Sequence, residues 1–193
     1  MEIDCTYIFP DWSNGLKYFC QVAEVTIIEP ETRIASFNGI QAAGKTNIDV
    51  EGLWISDTQV EHFPRGLSKI FPRLANVHIV ECGLKRISKK DFEGLDNLVV
   101  LDFNDNVLKS LPNDLFVETP KLRWIYLNYN NIERISSKIF DALNKTNLEA
   151  FWISGNPSIS VYFEQGGETT LDALMKEIDA KCLPPIEEPI FSR

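Results

Sequence analysis

The chain has 193 residues, 44% of them apolar and 24% charged, with 28 acidic against 19 basic side chains and a formal net charge of -9. That length accommodates one domain with a sizeable core, and the composition is that of a folded protein, not a disordered one. The acidic balance argues against nucleic acid or an anionic membrane surface as the main partner, since both demand clustered Lys and Arg, and no run approaches the roughly 20 apolar residues of a membrane span.

The N-terminus, Met1-Glu2-Ile3-Asp4-Cys5, has neither the basic nor the apolar stretch of a signal peptide. The expectation is therefore either a cytoplasmic protein or a mature secreted form carrying a starting methionine. Residues 1–49 hold Cys5 and Cys20 among Tyr7, Phe9, Trp12, Tyr18 and Phe19, and read as a terminal cap that shields the first strand of a repeating region. Within it, Val22-x-x-Val25-x-Ile27 reads as a degenerate strand, and Arg33 to Asn47 as a loop broken by Gly39 and Gly44.

From Val50 a single pattern recurs: apolar-x-x-apolar-x-apolar-x-x-(Asn/Cys/Thr)-x-apolar. It begins again at Leu74, Leu98 and Leu122, with a decaying copy at Leu148, in steps of 24, 24, 24 and 26 residues. Self-similarity at this period is the mark of a solenoid whose repeats each contribute one short strand. Apolar residues at the first, fourth and sixth positions point inward, and those between face out. The ninth position carries Thr58, Cys82, Asn106, Asn130 and Asn156, where an amide satisfies backbone groups left open as the chain turns away from its strand. Phe92, Phe116 and Phe140 recur behind the sheet as an aromatic spine, with Ser68 at that place in the first repeat and Phe71 near enough to fill it. The four full repeats span 50–147, and 148–182 forms a partial fifth repeat followed by a helix. Leu171, Leu174, Met175, Ile178 and Cys182 give that helix one apolar face, Thr169 and Asp172 its capping pair, and it reads as a lid over the last strand. Residues 183–193, rich in proline and glutamate, read as a loosely held tail.

The unit Leu98-x-x-Leu101-x-Phe103-x-x-Asn106-x-Leu108-x-x-Leu111-Pro112-x-x-x-Phe116 resembles the typical subtype of extracellular leucine-rich repeat proteins. The segment Cys5-x-Tyr7, Trp12, Tyr18-x-Cys20-x-Val22, extending through Gly44 to Gly52-Leu53 and Phe63-Pro64, is similar to the N-terminal region of short secreted insect members. The resemblance implies an α/β fold: a short right-handed solenoid with a parallel concave sheet, an N-terminal cap and a C-terminal helical cap. It also implies recognition, adhesion or an innate-immunity role. One departure is that many such proteins end in a cap with two paired cysteines, whereas only Cys182 stands there in this chain.

Cys5 and Cys20 are the best-placed disulfide pair, closing a loop worth roughly 3 kcal/mol in the chain-entropy model; the alternative is two buried thiols. Cys82 belongs to the ninth-position series and reads as a packed thiol. Cys182 is either buried on its helix or paired with a second chain, which would make a homodimer. His78 lies four residues before Cys82, but the two positions project differently, so no Cys–His nucleophile is expected. With no zinc spacing, phosphate-binding glycine loop or nucleophile motif, the chain is expected to be no enzyme and to need no metal or cofactor. Asn144-Lys145-Thr146 is an N-glycosylation sequon on the side away from the strands.

The register also names the outward face of the sheet. Trp54, His78, Asp102, Tyr126 and Trp152 occupy the fifth position, Gly52, Asn76, Val100, Trp124 and Ala150 the third, and Asp57, Glu81, Asp105, Tyr129 and Gly155 the eighth. Aromatic side chains gather on the last strands and carboxylates on the earlier ones. Five strands at about 4.8 Å make a face roughly 20 to 25 Å across, suited to a peptide or one small domain. Trp54, His78, Asp102, Asp105, Trp124, Tyr126, Tyr129 and Trp152 are the expected binding residues, with a protein or peptide, favoured if basic, as the ligand. The leading expectation is a secreted binding module. A cytoplasmic scaffold or regulatory subunit is the alternative if the cysteines are reduced, and a self-associating structural protein is a third.

Overall fold

The computed structural model describes residues 1–12 and 15–186. The N-terminal segment supplies strands β1 (Glu2–Asp4), β2 (Thr6–Ile8), β3 (Asp11–Trp12), β4 (Gly15–Leu16), β5 (Phe19–Val22), β6 (Thr26–Ile27) and β7 (Ser36–Asn38). The repeats supply β8 (Gly52–Ser56), β9 (Gln59–Val60), the one-turn helix α1 (Leu67–Ile70), β10 (Asn76–Val80), β11 (Val100–Asp102), β12 (Trp124–Tyr126) and β13 (Ala150–Trp152). The chain closes with β14 (Tyr162–Glu164) and helix α2 (Leu171–Lys181). Short 3-10 helices at Asn47–Asp49, Lys89–Phe92 and Ser137–Ala142 carry the chain behind the sheet.

The principal sheet has eight strands in the order β14-β13-β12-β11-β10-β8-β5-β2. Its six inner strands run parallel, because each turn of the solenoid re-enters on the same side, and every repeat pairs position for position with the next. Leu53, Val77, Leu101, Ile125 and Phe151 stack in one inward row, Ile55, Ile79, Phe103, Leu127 and Ile153 in another, and all are essentially excluded from solvent. Phe92, Phe116 and Phe140 are buried as well. The ring contacts of Phe92 are with Phe63 and Phe103 and that of Phe140 with Phe151, so the spine is knitted to the strands in front of it. Phe71 fills its place beside Phe37.

The ninth-position amides work between turns. Asn106 Oδ1 accepts from the N–H groups of Cys82 and Leu84, at 3.2 and 2.9 Å, while its Nδ2 donates to the carbonyl of Ile79 at 2.7 Å. Asn130 accepts from Leu108 N–H and donates to Phe103, and Asn156 accepts from Ile132 N–H and donates to Leu127. Each amide therefore joins its own turn to the preceding one. The two substitutes do less: the Cys82 thiol donates to Ile55 and Val80, and the Thr58 hydroxyl donates to Val25 O and accepts from Val25 N–H. One position earlier, the backbone is left-handed in every turn, with φ of 56° at Asp57, 54° at Glu81, 56° at Asp105, 54° at Tyr129 and 74° at Gly155.

Three features depart from the sequence-based expectation. The first strand is Phe19–Val22, not the Val22–Ile27 stretch; Cys20 lies beside Leu53, Val22 beside Ile55, and Ile27 pairs with Val60 further round the turn. The N-terminal segment is thus a full turn, 33 residues ahead of its neighbour rather than 24, and the surplus lies between Arg33 and Asn47. That stretch is no open loop: β7 pairs with β1, and Tyr18 Oη donates to Gln41 while accepting from Ala42 N–H. The second departure is at the sheet ends, where β2 and β14 pair antiparallel with the outermost turns. The last parallel strand is covered by β14, and α2 packs on both β14 and the 3-10 helix at Ser137–Ala142. Leu174 and Ile178 are buried, Asp179 accepts from Ser137 N–H and Oγ, and the helix is capped by Thr170 rather than Thr169. Third, the chain is still held past Cys182: Leu183 exchanges backbone hydrogen bonds with Glu133 and Ile135, and Arg134 donates to Pro184 O. The remainder of the expected tail, 187–193, lies outside the described residues.

The turn geometry makes two stability predictions. Asn130→Ala strands the buried Leu108 N–H and should cost about 3 kcal/mol, whereas Thr58→Ala at a half-exposed place should cost about 1 kcal/mol; urea unfolding of both variants measures the order. Glu81→Gly relieves a left-handed glutamate on the surface, and the midpoint of the same titration should rise by an equivalent of roughly 0.5–1 kcal/mol.

Candidate functional site

Strand register generates two rows of side chains across the outward face. The first runs Gln21, Trp54, His78, Asp102, Tyr126, Trp152 and Tyr162; the second runs Phe19, Gly52, Asn76, Val100, Trp124, Ala150 and Glu164. The predicted residues do share one face, but the two halves of that face differ.

The N-terminal half is closed. Phe19 has no exposed surface, and its ring lies so close over Gly52 that a Cβ there would stand 2.2 Å from it. Asn76 and His78 are 2% and 1% exposed. His78 is thus not the open contact residue that its strand position predicts: its ring lies tilted against Phe19 at 5.8 Å, and Nδ1 lies 3.3 Å from Asp102 Oδ2. Sequence spacing places a residue on a face; it does not show that a large ring from the neighbouring row covers it. Cys82 turns its thiol to the carbonyls of Ile55 and Val80, on the opposite side of the sheet. Trp54 remains half-buried.

The C-terminal half is open and aromatic. Trp124, Tyr126 and Trp152 are half-buried, while Tyr129 and Tyr162 are 65% and 48% exposed. Tyr126 meets Trp152 edge-on at 5.3 Å, and Trp152 meets Tyr162 at 5.4 Å, so three rings cross three adjacent strands in contact. Trp152 Nε1 is buried without a hydrogen-bond acceptor. The Arg123 guanidinium sits 4.6 Å above the Trp124 ring and pairs with Glu149. Tyr129 leans on Gly155, where a Cβ would come within 2.6 Å of its ring; glycine gives both the room and the left-handed turn. Burial pushes the Tyr126 hydroxyl above its ordinary pKa, and the charges of Asp102, Glu164 and Glu149 add to the shift. Asp105 is exposed at the rim, as are Asp57 and Glu81.

Sequence reasoning missed three contributors. Asn104 and Asn128 form a second amide ladder along the edge of this face: Asn104 N–H donates to Asp102, Asn128 N–H to Asn104, and Ser154 N–H to Asn128. Two asparagines one repeat apart were a readable signal. Phe19 could be placed only once its strand was, and β14, which brings Tyr162 and Glu164, has no repeat pattern.

Elsewhere, Cys5 and Cys20 form a disulfide. Asn144 is exposed and its Oδ1 accepts from the hydroxyl and N–H of Thr146. A polar cavity of about 380 Å³ nearby is lined by Arg123, Thr146, Asn147, Glu149 and Gln165. Among the described residues, no group of three or more His, Cys, Asp and Glu side chains could hold a metal ion, and no helix is long and apolar enough to cross a membrane. Cys182 is half-buried against the core; burial, then Asp179 and Glu177, push its thiol pKa up, and burial does the same to Cys82.

A family model for the leucine rich repeat matches residues 72–132. Residues 72–132 of the chain carry leucine-rich repeats. The chain is 36% identical over 91 residues to Toll-like receptor 3 of Boselaphus tragocamelus, covering 46% of this chain and 10% of the receptor. To Toll-like receptor 3 of Bos taurus it is 33% identical over 103 residues, covering 50% of this chain and 11% of the receptor. The chain therefore spans about a tenth of the length of the curated relatives it matches. Among solved structures, a chain of the Drosophila Toll–Spatzle complex superposes with a TM-score of 0.53 at 22% identity, over 65% of this chain and 17% of that one, a likeness of fold.

The thiol environments predict a labelling order. A raised pKa leaves less thiolate at a given pH, so alkylation of the native protein near neutrality should be slow at Cys182, slower at fully buried Cys82, and should accelerate as pH passes above the ordinary thiol range. Cys5 and Cys20 should label only after reduction. Mass-mapped alkylation over a pH series measures this, and rapid labelling of Cys182 at neutral pH would contradict the buried assignment.

Proposed function

We propose that this chain is a non-enzymatic, extracellular protein-binding module that engages a protein or peptide ligand on the outward face of its sheet. The single observation that carries the reading is the aromatic surface of Trp124, Tyr126, Tyr129 and Trp152, rigidly mounted on β12, β13 and the turns after them. Tyr and Trp dominate the binding energy of protein interfaces, because each offers a large contact area with few rotors to freeze. Tyr129 adds exposed ring surface, since it stands 65% exposed at the left-handed turn position that the repeats share. Trp54, Asp102 and Asp105 belong to the margin of the same surface. His78 acts beneath it by holding Asp102 in place.

The extracellular part of the proposal rests on the Cys5–Cys20 disulfide, which persists in oxidising compartments. The exposed sequon at Asn144 is compatible with glycosylation there. The relatives point the same way: they are Toll-like receptors, and the matching solved chain comes from a complex described as a hub of development and innate immunity. A homodimer through Cys182 has nothing to favour it, since that thiol packs against its own core.

The test is capture from the extracellular fluid of the source organism on immobilised wild-type protein and on a Trp124→Ala/Tyr129→Ala variant. Tyr129 is exposed and Trp124 half-buried on the outward face, so the variant is checked for an intact fold by its urea unfolding midpoint before its binding is compared. A protein retained by the wild type and reduced at least about tenfold on the variant is the expected result. Equal retention by a folded variant would rule out this face.

A further inference from the structure

Resting on the binding surface above, we propose that the open half of the face receives a basic side chain, an arginine or lysine from a peptide segment of the ligand, over Tyr126, Trp152 and Tyr162, with Asp102 and Glu164 as its counter-charges.

Three independent observations converge on this chemistry. The three rings are contiguous and sit at steep angles to one another, 84° and 55°, with Tyr162 48% exposed and Tyr126 and Trp152 half-buried. Aromatic faces attract cations, and the attraction grows as the site is desolvated. Next, the register delivers carboxylates to both flanks of the rings. Asp102 pairs across the sheet with Tyr126, and Glu164 follows Tyr162 by two residues on β14, on the same face. Glu164 has no ion-pair partner among the described residues, while Asp102 is oriented by His78 Nδ1 and Asn104 N–H. A free carboxylate and a fixed one thus bracket the aromatic run. Finally, the protein already makes the same arrangement next door, where the Arg123 guanidinium lies over Trp124 and is countered by Glu149.

The placement is selective within the sheet. Over β8 and β10 the equivalent positions Gly52, Asn76 and His78 are buried, and Trp54 is half-buried. The chain's overall charge of -9 supplies a long-range attraction for a basic segment, and the local carboxylates fix where it lands.

A random peptide library selected on the immobilised full-length protein, disulfide intact, tests this. Retained peptides should be enriched in Arg and Lys. Replacing the arginines of a retained peptide with citrulline, which keeps the shape and removes the charge, should weaken binding about tenfold. Glu164→Gln and Tyr162→Leu should each weaken it about two- to five-fold, and binding should weaken as salt is raised. Both substitutions are at exposed positions, and circular dichroism with thiol mapping checks that the variants remain folded. Retained peptides without basic enrichment, but lost on Trp124→Ala/Tyr129→Ala, would overturn this inference and leave the binding surface standing. Basic peptides indifferent to Glu164→Gln and Tyr162→Leu would also overturn it, placing the contact elsewhere. Retention of no peptide would count against both.

Discussion

Where the chain leaves each strand, backbone N–H and C=O groups enter the core with no ladder partner in their own turn, and in the last three repeats one buried amide answers for them. Asn106, Asn130 and Asn156 each accept from a backbone N–H of the turn before and donate back to its carbonyls. Leaving such groups unpaired would cost more than most apolar contacts return. The amide's reach also sets the geometry: the turn must bring the ninth position under the preceding strand, which the left-handed residue just before it achieves. Strand spacing, flat rows on the outward face and the inward stack of leucines all depend on that repeated bond.

The repeat was legible because its parts are redundant. Period, apolar spacing and the ninth-position series each give the same register, and the strand pairs obey it. Identity of residues on the outward face was therefore readable, whereas their exposure was not. His78 and Asp102 are neighbours in one row, yet Phe19 buries the first and leaves the second partly open. A periodic pattern is also silent at its own ends. The first turn has Cys20 and Val22 at the right places but 33 residues to the next turn, so the offset hid it. Tyr162 and Glu164 lie on an antiparallel strand, whose pairing depends on the sheet edge it meets and not on any internal period. The helix, with its apolar face of Leu174 and Ile178, was visible; the partner it packs on was not.

The outward face is divided by these same end effects. At one end, the ring of Phe19 lies over Gly52 and against His78 and draws both into the folded core, while Trp54 stays half-buried. At the other, β14 adds a third ring and, in Glu164, a second flanking carboxylate beside Asp102. Asp102 stands at the boundary, held by His78 on the closed side and facing Tyr126 on the open side. The surface offered to a ligand is thus smaller than the full sheet, and both its borders are set by segments outside the regular repeats.

The amide bonds also have a direction. Each turn is completed by its C-terminal neighbour, since Leu108 N–H waits for Asn130 and Ile132 N–H for Asn156. The solenoid therefore behaves like a zipper with a polarity. Loss of a whole internal turn brings one intact amide against another equivalent acceptor and leaves the register whole. A break that removes the C-terminal end leaves the last surviving turn with open donors in its core. Chain length in such a molecule can change by whole turns from within, but not by shortening from that end.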